Sequence, residues 1–312
     1  MELRKDYILD RYVIISSSRG KRPHQFKKDR KDKDDLGCFF CPGHESETPE
    51  EIGRVGDPWS IRWFPNKFAA VEPKGKPEIK TDNTFYTFSD AYGYHEVIVE
   101  TNDHSKQLYD LSEEEINQIL RVYSKRISEL SKDSNIRYVN VFKNHGKEAG
   151  TSIVHSHSQV IATNNIPSSI RKKLHAIKNF ETCPYCSIIN TEKESLRRCF
   201  ENDEFVAFCP YASRFNYELH IFPKKHITNI SELDDKGFSC LASIMKLVLE
   251  KLKELGASFN YYLQYSPPEE DLHFHIEVIP RLATWAGFEY CSETIINSVS
   301  PEKAAKFYRG EG

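Results

Sequence analysis

Residues 154–161 read Val-His-Ser-His-Ser-Gln-Val-Ile, and residues 272–279 read Leu-His-Phe-His-Ile-Glu-Val-Ile. We interpret both segments as strands. In a strand, residues two apart share a face, so the two histidines of each pair point the same way, about 6–7 Å apart. The recurrence of one His-x-His strand in each half of the chain predicts a duplicated fold.

The segments that precede each His-x-His strand also correspond. His226 stands 122 positions after His104 (226 − 104). Each copy shows the same order: a Cys-x-x-Cys pair, a strand, a histidine, a helix, a strand and the His-x-His strand. In the first copy these features fall at Cys38 and Cys41, 93–101, His104, a helix from Ser112 with Glu115 in a capping box, 137–143 and 154–161. In the second they fall at Cys183 and Cys186, 216–223, His226, a helix over 238–252, 260–264 and 272–279. Repeats of this length indicate a duplicated domain rather than a solenoid.

We therefore predict an α+β protein of two tandem domains. The first copy of the repeat spans residues 1–176 and carries His155 and His157, and the second copy spans residues 177–312 and carries His273 and His275. Each is expected to be an antiparallel sheet with a packed helix and a zinc site at its edge. The boundary is placed in the polar stretch 171–182, ahead of the second Cys pair.

Composition narrows the class of protein. The 312 residues suit roughly two domains. Lys plus Arg number 43 and Asp plus Glu 46, a formal charge of −3 that argues against nucleic-acid binding. No apolar run is long enough for a membrane span, and the charged start is followed by no apolar signal region. These features predict a cytoplasmic protein without membrane or nucleic-acid partners.

Eight cysteines without an export signal indicate metal binding or catalysis before disulfides. The four unpaired ones (Cys199, Cys209, Cys240 and Cys291) are expected to be buried as small hydrophobic residues. Two thiolates need two further ligands to close a tetrahedral zinc site. The first copy offers Cys38, Cys41, His104 and one of His155 and His157; the second offers Cys183, Cys186, His226 and one of His273 and His275. Closed sites of this kind stabilise a fold and do no chemistry.

The loop before the first histidine pair differs from that before the second. Residues 144–152 are rich in glycine and small polar groups, whose N–H and hydroxyl groups suit phosphate. Residues 265–271 carry two prolines and three acidic groups, which do not. The strand with His155 and His157 is therefore the candidate reactive strand. An imidazole attacks phosphorus well when its other nitrogen donates to a fixed acceptor.

Gln159 follows the histidine pair and can hold a phosphate oxygen without a titratable proton. Arg19 and Arg22 stand three apart in a short basic run that ends in Pro23. Such a pair is suited to clamp phosphate bidentately.

These motifs together resemble the galactose-1-phosphate uridylyltransferase family of the histidine-triad superfamily over nearly the whole chain. The motifs that carry the resemblance are Arg19-Gly20-Lys21-Arg22-Pro23-His24-Gln25, Cys38-x-x-Cys41, Phe64-Pro65-Asn66-Lys67-Phe68, Asp103-His104-Ser105, Asn144-x-Gly146, Gly150-x-Ser152, His155-x-His157-x-Gln159, Pro223-Lys224-Lys225-His226 and Gly287-Phe288-Glu289. The His-Ser-His-Ser-Gln form and the second Cys/His set are more similar to the related ADP-glucose phosphorylases.

The resemblance implies a role for each candidate residue. His157 is the expected nucleophile, and His155 joins Cys38, Cys41 and His104 on zinc, with His273 as its counterpart in the second set. The implied substrate contacts are Asn144, Gly150, Ser152 and Gln159 for phosphates, Asn66 and Phe68 for the nucleoside, Arg19 and Arg22 for phosphate, and Glu289 for sugar hydroxyls. In hydrolase branches of the superfamily a third histidine stands at the position of Gln159, so the Gln favours transfer over hydrolysis.

The expected activity is uridylyl transfer between UDP-glucose and a hexose 1-phosphate through a covalent His-UMP intermediate, with two structural zinc ions. Its partners are a nucleoside-diphosphate sugar and a sugar 1-phosphate, and the family implies a homodimer. One alternative is an ADP-sugar phosphorylase or adenylyltransferase of the same superfamily. Another, from a different class, is a non-catalytic nucleotide-binding zinc scaffold.

Overall fold

The structure, a computed structural model, describes residues 1–16, 37–82 and 84–311. Within these ranges its strands are β1 Glu2–Lys5, β2 Tyr12–Ile15, β3 Gly53–Val55, β4 Ile61–Pro65, β5 Lys80–Thr81, β6 Thr87–Phe88, β7 Gly93–Val99, β8 Tyr138–His145, β9 His157–Thr163, β10 Arg198–Glu201, β11 Phe205–Phe208, β12 Leu219–Pro223, β13 Phe259–Gln264, β14 His275–Pro280 and β15 Ile295–Asn297. Its α-helices are α1 Glu113–Leu130, α2 Ser168–Ile177, α3 Pro184–Glu192, α4 Asp235–Leu255, α5 Gly287–Ser292 and α6 Pro301–Tyr308.

Ten strands form one continuous sheet in the order β10-β11-β12-β14-β13-β8-β9-β7-β4-β3. Every neighbouring pair in it is antiparallel. The order is symmetric about the β13–β8 pair, where Phe259 faces His145 and Tyr262 faces Phe142. The α+β class and the antiparallel sheets are confirmed. The two copies share a single sheet, which nothing in the repeat pattern indicated.

Helices α1 and α4 are the corresponding helices of the two copies, and they pack against each other. Ser112 caps α1 by accepting from the Glu115 N–H, while the Glu115 carboxylate accepts from the Ser112 N–H, as predicted. Asp234 caps α4, and Gly256 ends it in the left-handed conformation. The apolar faces of both helices are buried, and each large aliphatic side chain stabilises the fold by about 1.5–3 kcal/mol.

A second, three-stranded sheet joins the two ends of the chain. Strand β2 pairs with β1 antiparallel and with β15 in parallel. The buried Arg4 guanidinium donates to the Glu302 carboxylate at 2.9 Å and to the Tyr211 carbonyl at 3.1 Å. The N-terminal strands therefore pack on the second copy. The predicted boundary at residues 176 and 177 lies at the end of α2 and stays a prediction.

The unpaired cysteines divide into buried and accessible ones. Cys199 and Cys209 are buried, as expected, with their sulfurs 3.6 Å apart. Cys240 is half-buried and packs against the core, whereas Cys291 is exposed, so the expectation is wrong for Cys291. Cys291 lies in the short helix α5, whose described residues are all at least partly accessible. Among the described residues, no helix combines the length and apolar character that crossing a bilayer needs.

Candidate active site and metal clusters

His157 opens strand β9, which lies between β7 and β8 in the first copy. Its ring is buried, with 7% of the residue exposed. Nδ1 lies 2.8 Å from the backbone carbonyl oxygen of His155, to which it donates as an N–H. Burial lowers the pKa of His157 and so favours the neutral ring. In this tautomer Nε2 carries the lone pair, as a nucleophile requires.

A buried ion pair lies beneath the reactive strand. Lys143 Nζ donates to Glu100 at 2.5 Å, to Ser156 Oγ at 3.0 Å and to the His157 carbonyl oxygen at 3.0 Å. Glu100 also accepts from the hydroxyls of Ser156 and Ser158. Burial by itself raises the pKa of Glu100, but the Lys143 ammonium and the hydroxyl donors outweigh it and hold this pKa below its usual value. Sequence reasoning missed both charged residues.

The loop of residues 146–156 closes a cavity of about 280 Å³ at the end of the reactive strand. Asn144, Ser152 and His157 line it together, so three of the predicted substrate-site residues share one cavity. The Asn144 amide is oriented by Asn260 of the second copy, whose Nδ2 donates to Oδ1 at 2.8 Å. Gly150 stands in the same loop with φ +87°.

Three side chains on neighbouring strands form a polar chain, Gln159 of β9, His95 of β7 and Asn66 directly after β4, and none of them is among the residues that line the cavity. Gln159 Oε1 lies 2.9 Å from Nε2 of His95, and the same nitrogen lies 3.0 Å from Nδ2 of Asn66. Asn66 Oδ1 accepts from the backbone N–H of Phe68 at 2.8 Å, and the Phe68 ring is 84% exposed. The structure thus brings together the predicted nucleoside and phosphate contacts through His95. Sequence reasoning missed His95, although a histidine within the apolar run of β7 is an available signal.

The remaining predicted substrate contacts are not part of this cavity. Glu289 lies in α5, where its Oε2 accepts from the backbone N–H of Ala286 at 2.9 Å. It is not among the residues that line the cavity. Arg19 and Arg22 lie outside the described residues. Their predicted roles stay predictions.

The predicted metal ligands of the first copy converge. One ligand atom from each of Cys38, Cys41, His104 and His155 lies within 4.8 Å of all the others. The Cys41 sulfur is 3.3 Å from Nδ1 of His104 and 3.6 Å from Nδ1 of His155. A tetrahedral zinc ion with ordinary Zn–S and Zn–N bonds sets sulfur and nitrogen about 3.5 Å apart. The His155 Nε2–H donates to the Thr101 carbonyl at 2.7 Å, the outer contact that ligating histidines usually make.

The second copy repeats this arrangement with Cys183, Cys186, His226 and His273. The Cys186 sulfur is 3.4 Å from Nδ1 of His226 and 3.6 Å from Nδ1 of His273. His273 Nε2 donates to the Pro223 carbonyl at 3.0 Å. Both groups therefore fit a four-coordinate metal ion of the zinc type. In each copy the first histidine of the pair, His155 or His273, joins the group of possible ligands, and His157 and His275 do not.

His275, the counterpart of His157, has the same backbone contact but different surroundings. Its Nδ1 donates to the His273 carbonyl at 2.8 Å. Its Nε2, however, lies 3.0 Å from the Lys173 ammonium, which is also bonded to Glu277 and Gln264. The adjoining cavity measures about 30 Å³ and is lined by residues of the N-terminal segment, Tyr7 and Leu9 among them. Among the described residues, the surroundings of His275 therefore offer a substrate neither a free nitrogen of this imidazole nor space beside it.

The sequence of this chain is similar to known families and proteins. Residues 2–167 match the family model described as galactose-1-phosphate uridyl transferase, N-terminal domain, and residues 182–287 match one described as scavenger mRNA decapping enzyme C-term binding. An ADP-glucose phosphorylase of Arabidopsis thaliana is 34% identical, over 99% of this chain and 92% of the relative. A galactose-1-phosphate uridylyltransferase of Thermotoga maritima is 30% identical, over 99% and 98%.

Solved structures of similar proteins share the whole fold. The Arabidopsis thaliana ADP-glucose phosphorylase with bound ADP-glucose superposes with a TM-score of 0.87 at 31% identity, over 99% of this chain and 98% of that one. A uridylyltransferase structure gives 0.78 at 27% identity, over 100% and 98%. One family model matches more than half of this chain, and the relatives align along nearly all of it. This chain therefore belongs to the galactose-1-phosphate uridylyltransferase family.

Proposed function

We propose that this chain is a nucleotidyltransferase in which His157 carries the nucleotidyl group, and that it transfers uridylyl between UDP-glucose and a hexose 1-phosphate. The observation that carries the proposal is the Nδ1 contact of His157 with the His155 carbonyl, next to a cavity shared with Asn144 and Ser152. A fixed Nδ1–H leaves Nε2 as the attacking atom. The matching of the chain to uridylyltransferase relatives supports this substrate class.

The reaction divides into two displacements at the α-phosphorus. In the first, Nε2 of His157 forms a P–N bond while the bond from phosphorus to the bridging oxygen breaks, and glucose 1-phosphate leaves. In the second, a phosphate oxygen of the hexose 1-phosphate attacks phosphorus, the P–N bond breaks, and the new UDP-hexose leaves. The Nδ1 proton stays with the ring throughout, because the His155 carbonyl holds it and stabilises the positive charge of the nucleotidylated ring.

Asn144, Ser152 and Gln159 are proposed to hold the phosphate oxygens during both displacements. Side-chain amides and a hydroxyl donate hydrogen bonds without a proton that titrates near neutral pH. Gln159 therefore cannot act as the base that would activate water. This residue supports transfer to a phosphate acceptor over hydrolysis.

We propose zinc as the ion in both Cys/His groups. In the first copy, Cys38, Cys41, His104 and His155 would hold this ion. The ion supplies no reacting ligand there, because four protein ligands close its coordination sphere. Its effect on the reaction runs through His155, which offers Nδ1 to the metal and its carbonyl oxygen to His157. The metal site therefore fixes the acceptor that orients the nucleophile.

A second candidate is the phosphorolysis of an ADP-sugar by the same covalent mechanism, with inorganic phosphate as the acceptor. It is favoured by the likeness to the Arabidopsis thaliana ADP-glucose phosphorylase, in sequence and in fold. The two candidates share His157 and differ in the base and the acceptor. A homodimer, which the resemblance implies, and a cytoplasmic location, which the sequence composition predicts, complete the proposal.

Incubation with a panel of UDP- and ADP-sugars, read by intact mass, tests both candidates. We expect a UMP adduct that a hexose 1-phosphate discharges. An AMP adduct that inorganic phosphate discharges would establish the second candidate instead. The absence of any adduct with every nucleotide sugar would favour the non-catalytic scaffold.

Matched substitutions locate the adduct. His157→Asn keeps a donor for the His155 carbonyl but has no nucleophilic nitrogen, so we expect no adduct and at least a 10³-fold loss of transfer. His275→Asn makes the same change at the corresponding position of the second copy and should transfer at near the wild-type rate. Zinc content and thermal stability measured on both variants separate loss of chemistry from loss of fold. An adduct retained in the His157 variant would refute the mechanism.

A further inference from the structure

We propose that His95 is a positioning residue that determines which end of the Gln159 side chain faces the transferred phosphoryl group. The inference deepens the proposed function and rests on it. His95 lies in β7, buried at 9% exposure, and its two ring nitrogens contact two different elements. Nδ1 faces the segment that follows β4, and Nε2 faces Gln159 on β9.

The tautomer of His95 follows from one fixed donor. The backbone N–H of Ala70 lies 3.1 Å from Nδ1, and a backbone N–H can only donate. Nδ1 must therefore accept, which places the proton of the neutral ring on Nε2. The opposite tautomer would set two N–H groups against each other at Ala70.

The same reasoning fixes the orientation of the Gln159 amide. Because Nε2 of His95 carries a proton, the Gln159 atom 2.9 Å away must be the carbonyl oxygen. The amide nitrogen is then the end directed away from His95, and Gln159 is only half-buried. A phosphate oxygen is an acceptor, so this orientation presents two N–H donors to it, whereas the flipped amide would present a repelling lone pair.

Asn66 is oriented in a parallel way around the same imidazole. The Phe68 N–H occupies Oδ1 of Asn66, which turns Nδ2 toward His95 Nε2 at 3.0 Å. In the tautomer that Ala70 sets, this approach brings two N–H donors together at Nε2. The hydrogen bonds of His95 with the Ala70 N–H and with Gln159 Oε1 offset its cost.

Nitrogen-15 NMR of histidine-labelled protein tests the tautomer in the absence of substrate. We expect an unprotonated Nδ1 and a protonated Nε2 for His95, assigned by comparison with the His95→Phe variant. A proton on Nδ1 would overturn the inference whatever the enzyme acts on. This measurement does not depend on the proposed reaction, so the two can fail separately.

A double-mutant cycle then tests whether His95 acts through Gln159. We expect His95→Phe to slow adduct formation about 10–100-fold, the cost of a misplaced catalytic group. His95→Gln should give an intermediate rate, since its amide can accept from Ala70 and donate to Gln159 in place of the ring. In the Gln159→Ala background, His95→Phe should have little further effect, because the group it positions is gone.

His175→Phe is the matched control. His175 is exposed on α2, so this substitution makes the same chemical change at a surface position. It should leave the rate unchanged. Equal effects of His95→Phe in the wild-type and Gln159→Ala backgrounds would show a general structural role and overturn the inference. A wild-type protein that forms no adduct would instead contradict the proposed function, while the NMR result still decides the tautomer.

Discussion

Ser156 places its hydroxyl on the face of the reactive strand opposite to the two histidines. There it donates to Glu100 at 2.7 Å and accepts from Lys143 at 3.0 Å. Lys143 also donates to the His157 carbonyl oxygen, so a member of the buried charge pair fixes the backbone of the nucleophile. A buried pair of this kind is costly to break, because removing one partner leaves the other as an uncompensated charge.

Removal of Lys143 alone should therefore destabilise the protein strongly. For Lys143→Met we expect a loss of about 3–5 kcal/mol, since Glu100 is left ionised and buried. The double variant Lys143→Met with Glu100→Gln removes both charges and should recover most of this stability. Unfolding in urea, followed by circular dichroism, measures each free energy. If the double variant has the same free energy of unfolding as the single one, the uncompensated charge of Glu100 is not the cause of the lost stability.

At the residue scale, the repeated spacing predicted three members of each Cys/His group and left the fourth open between two histidines. Each copy has a Cys-x-x-Cys pair followed by a histidine, His104 or His226, in the same order. A four-ligand metal site requires these side chains to lie close together. Glu100, Lys143 and His95 were not predicted. Lys143 and His95 each stand alone in a strand and Glu100 directly follows β7, so only the pairing of β7, β8 and β9 shows what a buried charge or imidazole contacts.

The loop between β8 and β9 depends on two glycines in different conformations. Gly146 has φ +82° and ψ +164°, a region that is essentially restricted to glycine, and an added Cβ would lie 2.9 Å from Ser258 Cβ. Gly150 has φ +87° and ψ +17°, which is left-handed helical, and no atom lies within 4 Å of its added Cβ. The chain can therefore tolerate a side chain at Gly150 far better than at Gly146.

Alanine substitutions at these two positions should separate the cost of the backbone conformation from the cost of a steric clash with Ser258. We expect Gly150→Ala to cost about 1 kcal/mol, the penalty of the left-handed conformation. Gly146→Ala should cost more, since it adds contact with Ser258 and displaces the loop that carries Ser152, and it should also slow adduct formation. Thermal unfolding and the adduct rate measure both effects. Equal losses of thermal stability and equal adduct rates in the two variants would contradict this interpretation of the two glycines.

Elements with strong local patterns were predicted well, and their pairing was not. The capping box at Ser112 and the apolar face of α1 define that helix within the sequence. Strand β9 begins at His157 rather than at residue 154, because the preceding residues continue the loop that brings His155 to the metal group. The β8–β13 pair joins segments more than a hundred residues apart, and no local signal specifies such a contact.

The two copies meet along the β8–β13 pair, which makes one folded body of the repeat. At one end of this pair the His145 ring stacks on Phe259, with ring centroids 4.7 Å apart, and meets the edge of Tyr109 at 5.3 Å. Burial lowers the pKa of His145 to about 4. The ring is therefore neutral in the folded protein, whereas an unfolded chain binds a proton at its ordinary pKa near 6.5.

The stability of the whole molecule should consequently depend on His145 in mild acid. Because the unfolded chain binds this proton first, stability falls as the pH drops from about 6.5 to about 4, by at most about 3 kcal/mol. His145→Phe keeps an aromatic ring on Phe259 and removes the proton, so it should lose less stability over this range than the wild type. Urea unfolding at pH 7, 5.5 and 4.5 gives the difference, in which other titrating groups cancel. Parallel curves for the two proteins would contradict the assignment.

Lys173 lies in α2, the helix that connects the copies, and inserts its ammonium among His275, Glu277 and Gln264. In evolutionary terms, a gene duplication produces two equivalent pockets, and selection for catalysis needs to preserve one. The other pocket is then free to acquire substitutions that a substrate would forbid. Here the Lys173 ammonium and the half-buried Tyr7 and Leu9 occupy the space beside His275. The contacts that fasten the connecting helix are therefore the same contacts that close the second pocket to a substrate.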